Sequence, residues 1–133
     1  MPKRLDPADP REWLNRARSS LRHSRSREEG VYLEELCFDA RQAAEKAVKA
    51  VLVSRRIRFP YVRDLEVLLN SLAENGIAVP DEIWVARKLT PYAVEARYPS
   101  VAREVTDEQY QEALDVAEDV VRWAGGLVES RPE

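Results

Sequence analysis

The stretch CFDARQAAEKAVKAVL, residues 37–52, carries five alanines and a comb of charges in sixteen residues, with no glycine or proline to interrupt it. Around it Leu33, Leu36, Cys37, Ala40, Ala43, Ala44, Ala47, Val48 and Val51 recur at three- and four-residue steps, the period of an α-helix. The spacing predicts a helix over residues 31–57, stopped by the segment RRIRFP at 55–60. Ala40, Ala43, Ala44 and Ala47 share one face, and small side chains let a neighbouring helix approach closely. This helix is therefore expected at the centre of the fold, with others packed around it.

The flanking sequence supplies those neighbours. In DPADPREWLNRARSSLRHSRSREEG, Asp9 suits a helix cap, Pro10 the first helical position, and Glu12 completes a capping-box pattern, so a first helix is predicted over 10–29 with Gly30 as its stop. VRDLEVLLNSLAENG places Leu65, Leu68, Leu69 and Leu72 at helical spacing and closes on Asn75 and Gly76, a helix-ending pair. DEIWVARKL reads as a fourth helix after Pro80, and Thr90 and Pro91 open a short fifth one through YAVEARY before Pro99. The last segment starts with Thr106 as cap and Gln109 three residues on, carries Tyr110, Leu114, Ala117, Val121 and Ala124 on one side, and is expected to end at Gly125 and Gly126. No alternating strand pattern competes. The predicted class is all-α, an up-and-down bundle of four to five helices with short connections. A basic N-terminal arm at 1–9 precedes the bundle at 10–128, and a tail follows at 129–133.

Composition narrows the chemistry. A chain of 133 residues with 44% hydrophobic content is long enough for one core. No apolar run approaches the roughly 18 residues of a bilayer span, and MPKRLDPADP lacks the apolar core of a signal peptide, so a soluble cytoplasmic protein is expected. The single cysteine, Cys37, lies on the apolar stripe and reads as core. With one histidine and one cysteine there is no zinc set. Metal chemistry would have to rest on carboxylates alone, and no cofactor is expected. The net charge of −3 is unevenly spread: residues 1–27 hold eight Lys/Arg against three Asp/Glu, or +5, and residues 28–133 hold thirteen against twenty-one, or −8. Such asymmetry either steers an anionic partner to one end or marks a solvated face. Trp13, Trp84 and Trp123, with the alanine-lined helix, suggest more apolar surface than one copy buries, so a homodimer is expected.

Several side chains are placed for binding. On the central helix Glu35, Asp39, Gln42, Lys46 and Lys49 form one strip, while Arg41, Glu45 and Lys49 are successive four-residue pairs of opposite charge. The strip reads either as a face stabilised by such pairs or as the border of a groove. On the first helix Arg11, Arg18, Arg22 and Arg25 share one side, and Arg16, His23 and Arg27 lie nearly opposite. Guanidinium forks suit phosphate, and pairing with an acidic helix is the alternative. Arg97 and Tyr98, fixed by the stop at Pro99, suit a phosphate contact and a base stack; otherwise Tyr98 packs as core and Arg97 bonds a carboxylate such as Asp64. Tyr61, Trp84 and Tyr92 can add aromatic surface.

CFDARQAAEKAVKAVLVSRRIRFP, RDLEVLL and LTPYAVEARYPS together resemble the HEPN domain family, small helical domains whose bacterial members are often encoded beside a minimal nucleotidyltransferase. The resemblance runs from EWLNRARSSL, at Glu12, to about Trp123. It implies a bundle of four to five helices around an antiparallel pair, commonly dimeric, and binding of a nucleotide or RNA. In many members it implies a toxin held in check by the nucleotidyltransferase. The departures are specific. Where members of this branch often read FHAQQAAEKALKA, this chain has Asp39 for the histidine and Arg41 for the first glutamine, and Arg63 stands where a second histidine is frequent. Ribonuclease members carry an arginine followed after four to six residues by a histidine in a late helix, and this chain has no histidine after residue 23. Arg18 and His23 match that spacing but lie in the first helix. Five residues at about 100° each put them about 140° apart around the axis, so they do not converge within one chain. The enzyme alternative implied by the resemblance is a metal-independent ribonuclease with a composite dimer site of Arg18, His23 and Arg97, and a third reading is a structural partner subunit.

Overall fold

The computed structural model describes residues 4–6, 8–62, 64–93 and 104–129. Five α-helices are found there: α1 (Pro10–Ser24), α2 (Leu33–Ser54), α3 (Leu65–Glu74), α4 (Asp81–Trp84) and α5 (Asp107–Glu129), with a 3₁₀ helix at Val85–Ala93 between α4 and α5. The described residues contain no strand. None of their helices is long and apolar enough to cross a membrane.

The alanine-rich helix is the hub. At 22 residues it spans about 33 Å, and 13 of those residues are buried, too many for a helix packed on one side only. Ala40, Ala43, Ala44 and Ala47 are fully buried. They let α1, α5 and the 3₁₀ helix close on α2, and α3 packs on it as well. Contacts run from His23 to Asp39, Ser20 to Lys46 and Trp13 to Lys49, so α1 and α2 are antiparallel. The predicted core residues of α3 and α5 are all buried. Each fully buried leucine of α3 contributes about 2 kcal/mol of transfer free energy. Cys37 is buried as expected, and burial pushes its thiol up to about 11, which leaves it an unreactive neutral group.

The helix ends differ from the sequence expectation in four places. α1 stops at Ser24 rather than near residue 29, because the Ser24 carbonyl accepts a 2.6 Å bond from the Tyr110 hydroxyl of α5 instead of continuing the helical ladder; Gly30, at φ +89°, turns the chain further on. At the other end Asp9 caps through the Arg11 amide, while the Glu12 carboxylate reaches the Leu5 amide, not the Asp9 amide that a capping box requires. The expected fourth helix is α-helical only over Asp81–Trp84 and then tightens into the 3₁₀ segment that contains Pro91. α5 does begin with the reciprocal Thr106 and Gln109 bonds of a capping box, but it runs through Gly125 and Gly126 to Glu129. Gly125 lies under the tip of Arg18: a Cβ at that position would be 2.9 Å from Nη2, and the flexible guanidinium would have to shift.

Candidate functional site

Antiparallel packing of α1 on α2 brings two polar stripes together along one seam. α1 contributes Glu12, Arg16, Ser20 and His23, one residue per turn, and α2 contributes Asp39, Lys46 and Lys49. Glu12 is buried, and the Leu5 amide at 2.9 Å and the Arg16 Nε at 2.6 Å hold its carboxyl below the usual range. This group straps the N-terminal segment onto the bundle. Further along, Lys46 donates to Ser20 Oγ at 2.8 Å. Burial, and then the charge of Arg16, push its ammonium below the ordinary lysine value. No carboxylate among the described residues lies within ion-pair distance of Lys46. Asp39 Oδ2 is 2.6 Å from His23 Nδ1; burial raises the Asp39 carboxyl, with His23 opposing the shift. The His23 imidazole of α1 thus sits against the α2 position held by Asp39.

At the end of α2 the seam becomes aromatic. Lys49 Nζ lies 5.8 Å from the Trp13 ring centroid, 6.0 Å from that of Phe59 and 5.7 Å from that of Tyr61, each within cation–π range. Glu45 links this ammonium, at 3.9 Å, to the guanidinium of Arg41, at 3.2 Å. Arg41 is 0% exposed and also lies over the Phe38 ring at 5.4 Å. The expected Arg41, Glu45 and Lys49 pairing therefore exists, with its first member inside the protein.

The structure separates the remaining sequence candidates. Arg18 lies on the other side of α1, forked onto Glu129 at 2.8 and 3.1 Å, so Arg18 and His23 point to different carboxylates, as their helical angle requires. Arg25 pairs with Glu118 at 3.2 Å and Arg27 with Asp107. Arg22 is exposed and makes no ion pair among the described residues. Arg63, Arg97 and Tyr98 lie outside the described residues. Tyr61 is fully exposed beside the seam. Trp84 instead lines a hollow of about 560 Å³ between α3 and α4, and Tyr92 one of about 200 Å³ against α5. Sequence reasoning missed Trp13, Ser20 and Phe59 as members of the seam. The available signal was the interleaving of basic and aromatic residues in RRIRFPY at 55–61. No group of three or more metal-ligating side chains occurs among the described residues.

A model of the HEPN domain matches residues 10–127. Among solved structures, TT1696 from Thermus thermophilus is 32% identical with a TM-score of 0.79, the match covering 90% of this chain and 98% of that one. ST0689, titled an archaeal HEPN homologue, is 27% identical with a TM-score of 0.71, covering 96% of this chain and 99% of that one. No curated protein matches the chain.

Proposed function

Because the chain belongs to the HEPN domain family, we propose that it is a nucleotide- or RNA-associated binding module that self-associates and acts with a minimal nucleotidyltransferase, in a toxin–antitoxin arrangement. The observation that carries the binding reading is Lys46: a half-buried ammonium bonded to the neutral Ser20 hydroxyl, its charged form disfavoured by burial and by Arg16. Glu45 and Asp39 act on this ammonium only from beyond ion-pair distance; an incoming phosphate would supply a direct counter-charge, and the rings around Lys49 offer a face for a base. Titration calorimetry with ATP tests this. Lys46→Met should weaken binding by roughly tenfold to a hundredfold, the range expected when a charge-assisted hydrogen bond is removed, with the thermal melt preserved. Unchanged affinity in that variant would remove the seam as the site.

The ribonuclease reading has one observation in its favour: Asp39 orients His23 through Nδ1 while the imidazole stays 71% exposed, an arrangement suited to general base work. Arg18 is held away on Glu129, so the binding reading is preferred. Cleavage of RNA by the metal-free protein that falls a hundredfold in His23→Ala would reverse the preference. We expect any such activity to change by no more than about threefold, roughly 0.6 kcal/mol of barrier.

A further inference from the structure

Beyond the seam, the 55–61 segment gathers three arginines and a tyrosine just past the end of α2. The helix closes with Arg56 N–H on the Val53 carbonyl at 3.1 Å and Ile57 N–H on the Leu52 carbonyl at 3.0 Å, the paired bonds of a Schellman turn. Arg56 occupies the left-handed position at φ +55°, where glycine is usual. Ile57 and Phe59 then pack partly against the core, and this alternation leaves Arg56 and Arg58 outward. Arg55, Arg56 and Arg58 are all exposed, and none of them ion-pairs with a carboxylate among the described residues. Next along the chain stands Tyr61, its ring fully in solvent and its centroid 5.7 Å from Lys49 Nζ.

We propose that residues 55, 56, 58 and 61 form a docking surface for single-stranded nucleic acid, the arginines on successive phosphates and the Tyr61 ring under a base. Three exposed guanidinium groups within four residues, with no carboxylate partner among the described residues, can supply the backbone contacts. A solvent-exposed aromatic face beside a cation supplies a stacking platform that any base can use, provided the base is unpaired. A duplex hides its base faces, so single strands are the preferred form. This deepens the nucleotide- or RNA-associated reading and rests on it for biological context; Tyr61 borders both surfaces, but the three arginines are residues that the Lys46 site does not use.

The test is fluorescence anisotropy with labelled oligo(U) and oligo(dT) of about twelve nucleotides, and a duplex of equal length, over a salt series. The variants are Arg55→Ala/Arg56→Gly/Arg58→Ala, Tyr61→Ala, and Lys46→Met as the seam control. The expected result is binding of both single strands more tightly than the duplex. The triple variant should flatten the log–log salt slope by about 2, since each phosphate neutralised on a single strand contributes roughly 0.7. Tyr61→Ala should weaken binding by roughly fivefold or more, the size of one base–aromatic stack. The triple variant should still bind ATP like the parent. RNA and DNA binding alike leaves the assignment as single-stranded nucleic acid; a preference for oligo(U) narrows it to RNA. An unchanged salt slope in the triple variant, tighter binding of the duplex, or arginine-dependent binding of anionic vesicles with none of the oligonucleotides overturns the proposal. ATP binding without oligonucleotide binding sinks this inference and leaves the seam reading intact. Loss of ATP binding in Lys46→Met with oligonucleotide binding unaltered supports both.

Discussion

Two sets of arginines sit on this bundle, and their surroundings are opposite. Arg18, Arg25 and Arg27, in and just beyond α1, each meet a carboxylate of α5. Arg55, Arg56 and Arg58 beyond α2 are as exposed and meet none among the described residues. By sequence the first set is the more conspicuous, since it belongs to the segment with a charge of +5. By structure it is spoken for, because its partners arrive from far along the chain: 111 residues separate Arg18 from Glu129 and 93 separate Arg25 from Glu118. A basic stretch is a field source for partners only where the fold leaves its charge uncompensated. The difference teaches that pairing, more than the density of charge, marks the open surface.

The comparison has a limiting case in Arg41, whose charge is wholly inside, and the largest expected effect belongs there. Glu45→Ala removes the carboxylate 3.2 Å from Arg41 and should lower stability by about 3 kcal/mol or more, the usual consequence of breaking a buried pair on one side. Chemical denaturation measures it. A loss below about 1 kcal/mol would mean that Glu45 is not the group compensating Arg41, and burial would cease to be what ranks these arginines.

Arg18→Ala comes next. The pair with Glu129 is forked but roughly half exposed, and such surface pairs contribute at most about 1 kcal/mol. The loss should shrink as salt is raised, because exposed charges are screened. Removing the guanidinium also clears the space over Gly125. The double variant Arg18→Ala/Gly125→Ala should therefore recover part of the loss through the better helix propensity of alanine. A loss well above about 1 kcal/mol that is insensitive to salt would place Arg18 with Arg41 as a structural cation.

These contrasts also explain what could be read before the fold was known. The bundle was legible because its signals are local: the alanine face of α2, the leucines of α3 and the Thr106 and Gln109 cap each lie within a few turns of one helix. Gly125 misled because a glycine that stops a helix and a glycine that admits a neighbour look alike without the neighbour, here Arg18. The α1 terminus misled because its stop is a hydroxyl 86 residues away, on Tyr110. Of the site, Asp39, Lys46 and Lys49 were visible as one helical strip. Their partners His23, Ser20, Trp13, Phe59 and Tyr61 come from two other segments, and no spacing rule joins residues across a loop.

The smallest expected effect tests the set that meets no carboxylate among the described residues. Arg56 holds a left-handed backbone at φ +55°, which costs a side-chain-bearing residue about 1–2 kcal/mol. Glycine would relieve that strain but lose about 0.5–1 kcal/mol of chain entropy on folding. Arg56 has no ion pair among the described residues to lose, so Arg56→Gly should stabilise the protein slightly, by about 0.5 kcal/mol, read from a denaturation midpoint at unchanged m-value. An arginine kept in a strained position against stability calls for a reason outside the fold, and anion binding by the 55–61 segment is such a reason. If the same single change destabilises the protein by about 1 kcal/mol or more, Arg56 is making a structural contact. The contrast between neutralised and open arginines would then fail at the residue where it is drawn most sharply.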